Sequence, residues 1–269
     1  MAEALYKLRR YLETKQHTQK DMKPFHLALT LAALCGVATL HAADKPAAQS
    51  PDVAAPKMDA KTGQPQEAFM KSHDNFVKIA KEGKAKLVFL GDSITAGWNG
   101  NGKEVWPKAF GKYKPANFGI GGDRTQHVLW RITNGELDGI KPKAFVIMIG
   151  TNNSGGDPAE AITKGITKIV ETVRAKQPQA KILLLAVFPR GNKTDGQLNA
   201  QNDKLKEVNA AICKLDDGKN IFYLDIGKKF VPGNGPIDKE IMPDCLHLSA
   251  KGYQIWADAI GPKLAELMK

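Results

Sequence analysis

Cysteine is scarce in this sequence, with three residues in 269. Only two of them, Cys213 and Cys245, follow residue 43. Two cysteines cannot build the disulfide framework that holds small secreted scaffolds together, whereas a chain of this length can bury a sizeable hydrophobic core. A single bridge between them is an open alternative in an oxidising compartment, and we favour two free thiols.

Acidic residues are fewer than basic ones, 28 against 39, which gives a formal charge of +11. The excess does not gather in a dense Lys/Arg run with interleaved aromatic residues. The sequence therefore argues against nucleic acid as a partner. A basic surface exposed to solvent explains the charge better than an acidic partner does.

The chain has no apolar run of the roughly 20 residues that a transmembrane helix needs. Its most apolar stretch, 27–40, follows the basic Lys23 and precedes small residues. This order is typical of a secretory signal peptide, which we place at 22–43, and a buried N-terminal helix is the alternative. Residues 1–21 are then an upstream extension. The pattern predicts a periplasmic or extracellular protein with no stable membrane insertion after cleavage.

Composition divides the rest of the chain into two parts. Residues 44–62 are rich in Pro and Ala and have few large apolar side chains, which is typical of a linker. Residues 63–269 alternate short apolar runs with amphipathic stretches, and no internal repeat interrupts them. The sequence therefore predicts one folded domain over 63–269.

Five short apolar runs in this domain have the composition of strands buried on both faces. They lie at 86–90, 116–118, 145–149, 182–187 and 221–224. Apolar residues recur at helical spacing in 158–175, 198–215 and 249–268, and Asp157 and Pro158 predict the start of the first of these helices. Strands that alternate with helices predict an α/β fold with a parallel, doubly wound sheet. In such sheets, functional side chains gather where the strands end.

Polar residues follow the strand-like runs and could together carry acyl-transfer chemistry. Ser93 follows the first run, Gly122 the second and Asn152 the third, while Asp244 and His247 lie just before the last helix. A serine nucleophile needs a histidine base, and the histidine needs an acid that fixes its tautomer. The N–H groups of Ser93 and Gly122 and the Asn152 amide would supply an oxyanion hole. Each residue alone also has an ordinary structural explanation, such as a helix cap or a turn.

The nucleophile motif differs from the G-x-S-x-G elbow of α/β-hydrolases, because Thr95 stands at the second glycine position. The blocks "GDSIT", "GIGGD", "GTNN" and "DCLH" occur in that order, and together they resemble the SGNH, or GDSL, hydrolase family. Over residues 65–267 the chain is similar, within that family, to the catalytic subunits of platelet-activating factor acetylhydrolase Ib and their bacterial relatives.

This resemblance implies a three-layer, flavodoxin-like fold with strand order 2-1-3-4-5. It implies hydrolysis of small acyl esters without a metal or other cofactor. Ser93, Asp244 and His247 are the implied catalytic residues, and Ser93, Gly122 and Asn152 the implied oxyanion hole. The family includes dimers, so the resemblance allows a homodimer. The secretory leader departs from the cytosolic animal enzymes and favours an envelope or extracellular ester over their phospholipid.

We expect a serine esterase that releases short acyl groups, above all acetyl, from a small acyl ester or an acetylated glycan. The reaction would pass through an acyl-enzyme on Ser93. An O-acyltransferase would share this chemistry, and a catalytically dead carbohydrate-binding module is a third hypothesis. Trp98 and Phe188 either line a small acyl pocket or pack in the core. Asp92 is expected to be a structural acid rather than a second catalytic one.

Overall fold

Five short strands form one parallel sheet in the computed structural model, which describes residues 49–231 and 235–269. They are β1 (Leu87–Gly91), β2 (Pro115–Gly119), β3 (Ala144–Met148), β4 (Lys181–Leu185) and β5 (Ile221–Leu224). The strands pair in the order β2-β1-β3-β4-β5, and every pair is parallel. The predicted α/β fold and the strand order that the resemblance implied are both confirmed.

Helices cover both faces of this sheet. In the described residues they are α1 (Glu67–Glu82), α2 (Ser93–Ala96), α3 (Trp106–Phe110), α4 (Thr125–Thr133), α5 (Ala159–Lys176), α6 (Gln201–Ile212) and α7 (Ala250–Leu267). The apolar sides of α1, α4, α5 and α6 pack with Val88 and Leu90 on one face. Side chains of α2, α3 and α7 pack with Leu87 and Phe89 on the other. Because successive strand residues point to opposite faces, both sides of β1 are buried, which explains its continuous apolar sequence.

Two helices differ from the sequence prediction. Pro158, rather than Asp157, is the N-cap of α5, and its extended backbone leads into the first helical turn at Ala159. Helix α1 was not predicted, although Phe69, His73, Phe76 and Ala80 form its buried side. The histidine interrupts the apolar repeat in the sequence, so apolar spacing alone does not indicate a helix here.

The segment 49–62, which we call the N-terminal strap, packs on the domain. The Thr125 hydroxyl donates to the Pro51 carbonyl at 2.8 Å, and the Ala55 N–H donates to the Gln126 carbonyl at 3.2 Å. A side chain at Gly165 would lie 2.5 Å from the Pro51 carbonyl oxygen, so α5 needs glycine where the strap crosses it. Residues 49–62 are therefore packed on the domain and are not the linker that their composition predicts. The folded domain includes residues before 63.

The remaining predictions for the N-terminal part concern residues outside the described ranges. The extension at 1–21, the signal peptide at 22–43 and the first residues of the expected linker are all among them. Within the ranges that the structure covers, Cys213 and Cys245 are both free. No helix in those ranges has the length and apolar character needed to cross a bilayer.

Candidate active site

Ser93 lies two residues after the end of β1, at the first position of α2. The side chain of Asp92 caps this short helix by accepting the Ile94 N–H at 2.9 Å. Tyr253, on α7, donates its hydroxyl to the Ile94 carbonyl at 2.6 Å. The cap and the tyrosine therefore hold the backbone of Ile94, the residue after Ser93, at both its N–H and its carbonyl.

Ser93, His247 and Asp244 form a continuous hydrogen-bonded chain. The Ser93 Oγ lies 2.8 Å from His247 Nε2, and His247 Nδ1 lies 2.7 Å from Asp244 Oδ2. An ionised carboxylate only accepts hydrogen bonds, so it places the ring proton on Nδ1 and leaves Nε2 to accept the Ser93 hydroxyl proton. The structure thus brings together the three residues that the sequence selected, although 154 positions separate the serine from the histidine.

The turn from Asp244 to His247 holds the carboxylate in one orientation. Asp244 Oδ1 accepts the N–H of His247 at 2.7 Å and that of Leu246 at 3.1 Å. Partial burial alone would raise the pKa of Asp244, but the hydrogen bonds from His247 and Leu246 outweigh it and lower that pKa. Cys245, which lies between Asp244 and Leu246, has a φ of 61°. This left-handed conformation costs a non-glycine residue on the order of 1 kcal/mol, which the surrounding bonds offset.

The site is open to solvent. The side chains of His247 and Asp244 are 42% and 40% exposed. Ser93 and Asn152 are half-buried, and Gly121 and Gly122 are exposed. Water and a substrate can therefore reach the serine without passing through a closed channel.

The three expected oxyanion donors lie at the same edge of the sheet. Gly91 pairs with Gly119 on β2 and with Met148 on β3, so the turns after these strands are neighbours. Gly122 has a φ of 72°, in the left-handed region that glycine adopts at little cost. The Asn152 amide donates one of its two N–H groups to the Asp123 carbonyl at 2.8 Å, which links the second turn to the third. The first turn of a helix leaves the Ser93 N–H without an intrahelical partner.

A buried ion network holds the turn that contains Gly122. Arg131 is fully buried and donates to Asp123 Oδ2 at 2.9 Å, to the Phe118 carbonyl at 3.0 Å and to Glu136 Oε2. Glu136 in turn bonds His73 Nδ1 at 2.9 Å. Removing one partner of such a buried pair typically costs about 3–5 kcal/mol, because a charge is left uncompensated. Sequence reasoning missed this network, since no fixed spacing marks residues that pair from separate elements.

Trp98 and Phe188 pack in the core, which decides between the two alternatives left open by the sequence. Trp98 has no exposed surface and Phe188 is 1% exposed. Both rings contact Trp256 of α7, at centroid distances of 5.1 and 5.0 Å. Of the two alternatives, packing in the core is therefore the correct one for both rings.

Known proteins resemble this chain in both sequence and fold. A family model described as "GDSL-like Lipase/Acylhydrolase family" matches residues 89–255. Platelet-activating factor acetylhydrolase IB subunit alpha1 from Homo sapiens is 39% identical over 201 residues, which cover 74% of this chain and 84% of the relative. Subunit alpha2 from Rattus norvegicus is 41% identical over 187 residues, covering 69% and 78%. A solved GDSL-like lipase from Bacteroides thetaiotaomicron shares the fold, with a TM-score of 0.59 at 21% identity over 72% of this chain and 97% of that one.

Asp92 gives a prediction about pH and stability. Burial raises the pKa of this carboxyl from 3.8 to about 7, and its Oδ2 has no hydrogen-bond partner among the residues that the structure describes. Because the folded-state pKa is the higher one, folding favours the protonated form, and wild type loses stability as the pH rises from about 4 to about 7. The limiting slope is about 1.4 kcal/mol per pH unit. Asp92→Asn keeps an oxygen for the cap and should remove this loss.

Urea unfolding of both proteins across that pH range measures the difference. The free energy of unfolding of Asp92→Asn, relative to that of wild type, should increase up to neutral pH and stay constant above it. Asp74→Asn, at an exposed position of α1, is the matched control and should leave the pH profile of wild type unchanged. Parallel profiles for wild type and Asp92→Asn would contradict the prediction.

Proposed function

We propose that this chain, which belongs to the GDSL-like lipase/acylhydrolase family and is a carboxylic ester hydrolase, acts on short acyl esters, above all acetyl esters. The acyl group is transferred to Ser93 and then to water. The observation that carries the proposal is the unbroken chain of hydrogen bonds from Ser93 through His247 to Asp244. The chain spans most of the length of its curated relatives, so the comparison concerns the whole hydrolase domain.

Acylation begins when the Ser93 Oγ attacks the carbonyl carbon of the ester. His247 Nε2 takes the hydroxyl proton, and Asp244 stabilises the imidazolium that forms. The tetrahedral intermediate then collapses: the bond from carbon to the leaving oxygen breaks, and Nε2 returns the proton to that oxygen. The alcohol departs and the acyl group stays on Ser93 as an ester.

The negative oxygen of the intermediate needs donors already in place. The N–H groups of Ser93 and Gly122 and the second amide N–H of Asn152 are proposed for this role. Their turns are held by the Asp92 cap and by the bond from Asn152 to the Asp123 carbonyl. Donors fixed in this way need no reorganisation during the reaction, which is the main source of their effect.

Deacylation uses water in place of the alcohol. The partial exposure of His247 and Asp244 lets water approach the acyl-enzyme beside Nε2. His247 removes a proton from the water, which attacks the acyl carbon, and the proton then returns to the Ser93 oxygen as the carboxylic acid leaves. The open site supports water as the acceptor, rather than a bound sugar hydroxyl as in an acyltransferase.

For the substrate we propose a small acyl ester or an acetylated glycan. Acetyl is supported by the names of the curated relatives, which are acetylhydrolases. The leader-like pattern at 22–43 supports a periplasmic or extracellular location, where acetylated glycans are available. Phospholipid is the weaker choice, because the exposed triad offers little shelter to long acyl chains.

The location has a direct test. Export with cleavage after the small residues that follow the apolar stretch predicts a mature chain beginning at or near Ala43 or Asp44. N-terminal sequencing of the protein from the producing cell measures this. A mature chain that retains residues 22–40 would show that the segment is not a cleaved leader.

Substitutions in the triad should separate catalysis from binding. Ser93→Ala and His247→Ala should each lower kcat by about three to six orders of magnitude, because triad members act as a unit. Asp244→Asn should cost somewhat less. Asn152→Ala should cost on the order of 10² to 10³ in kcat, the usual loss for one oxyanion donor. Steady-state kinetics on nitrophenyl acetate measures all four, and an effect of Asn152→Ala on KM alone would refute its assigned role.

Acyl-chain length gives a second kinetic prediction. Each added methylene would stabilise the bound ester by up to about 0.8 kcal/mol if it were buried. A long acyl group at this open site stays largely in water and loses conformational freedom on binding. We therefore expect kcat/KM to fall from acetyl through butanoyl to octanoyl nitrophenyl esters, with Ser93→Ala as the measure of background hydrolysis. A rise toward octanoyl would overturn the acetyl preference and leave the role of Ser93 untouched.

A further inference from the structure

A lysine outside the family's matched region reaches the proposed oxyanion site. Lys57 belongs to the N-terminal strap, upstream of the residues 89–255 that the family model matches. Its Nζ donates to the Gly121 carbonyl at 2.6 Å, across 64 positions of sequence. Its own carbonyl accepts the Gln66 N–H at 2.8 Å, immediately before α1. The lysine is therefore fixed at its backbone and at its side-chain end.

The bonded carbonyl and the proposed oxyanion donor belong to the same peptide group. The carbonyl of Gly121 and the N–H of Gly122 are the two ends of one planar unit and point in opposite directions. An ammonium on the oxygen side therefore fixes the direction of the N–H on the other side. A charge-assisted hydrogen bond to the carbonyl also polarises the peptide, which strengthens the N–H as a donor.

The local geometry shows that the amine contacts both glycines of the turn. A Cβ built on Gly122 would lie 2.7 Å from Lys57 Nζ, and the positive φ of this residue independently favours glycine. Gly121 and Gly122 are both exposed, so burial in the core does not fix the orientation of this peptide. Asp123, the next residue, has its own cationic partner in Arg131. The Lys57 charge also favours the ionised Asp123, but its hydrogen bond goes to the Gly121 carbonyl.

We propose that Lys57 is a positioning residue for ester hydrolysis: its ammonium orients and polarises the Gly121–Gly122 peptide so that the Gly122 N–H stabilises the oxyanion of the tetrahedral intermediate. The inference rests on the proposed function, since it assigns a role in the acyl transfer to Ser93. It also gives the N-terminal strap a catalytic purpose, because the strap delivers this charge to the turn after β2.

Three variants test the role. Lys57→Met removes the charge and keeps most of the side chain, Lys57→Arg keeps a cationic donor, and Lys61→Met removes an exposed charge from the same segment as a matched control. For each, kcat and KM on nitrophenyl acetate, the rate of inactivation by a nitrophenyl phosphonate and the midpoint of thermal unfolding are measured. The phosphonate adduct on Ser93 places a tetrahedral oxygen where the oxyanion forms, so it reports on the same donor.

Lys57→Met should lower kcat about tenfold with KM changed less than about twofold, which is smaller than the loss of a whole donor because water can replace the amine on Gly121. The phosphonate inactivation rate should fall by a similar factor. Lys57→Arg should recover most of both rates, and Lys61→Met should match wild type. The unfolding midpoint should be nearly unchanged in all three.

Unchanged kcat in Lys57→Met, with an active wild type, would overturn the role of Lys57 and leave the proposed function standing. A variant that raises KM or lowers the unfolding midpoint, with kcat unaffected, would show that Lys57 only fastens the strap and would overturn the role equally. Absence of any Ser93-dependent turnover in wild type would overturn the proposed function, and the role of Lys57 with it.

Discussion

The parallel register of three neighbouring strands, β2, β1 and β3, is the constraint on which the site depends. Gly91 at the end of β1 stands opposite Gly119 on β2 and Met148 on β3, so all three strands stop at one edge. The turns that follow them carry Ser93, Gly122 and Asn152. The proposed nucleophile and the proposed donors to a developing negative charge therefore lie on neighbouring turns without a long loop to place them, since the backbone pairing sets the spacing of the three strand ends.

Buried charge gives this edge its rigidity. Arg131 binds Asp123, Glu136 and the carbonyl of Phe118, so it joins the end of β2 to the turn beyond it and to the segment after α4. Desolvating three charges is unfavourable in itself, and replacing such a triad by apolar residues often stabilises a protein. Its position beside the turn that carries Gly122 fits a role in specifying one arrangement of that turn. The Asn152 amide depends on that arrangement, because it bonds the Asp123 carbonyl.

The site combines a rigid frame with an exposed reaction centre. The frame is built of residues without accessible surface, among them Asp92, Asp123, Arg131 and Trp98, whereas His247 and Asp244 are about two-fifths exposed. Such a site can hold the small set of atoms that change charge during acyl transfer and leave the rest of the substrate in water. The N-terminal strap lies at the rim of this site, where Lys57 donates to the Gly121 carbonyl.

The sequence alone determined the fold class, because strands buried on both faces must be continuously apolar and the helices between them must be amphipathic. It also selected Ser93, Asp244 and His247 as candidates, because a nucleophile, a base and an acid occur together after strands and before the last helix, within four sequence blocks that resemble the GDSL hydrolases. It could not assign the N-terminal strap, whose Pro-rich and Ala-rich composition is that of a linker, nor decide whether Trp98 and Phe188 line a pocket. Only the tertiary structure revealed the network around Arg131 and the reach of Lys57 to Gly121. Those contacts join residues from separate elements, and no local spacing or periodicity in the sequence records which side chains will meet.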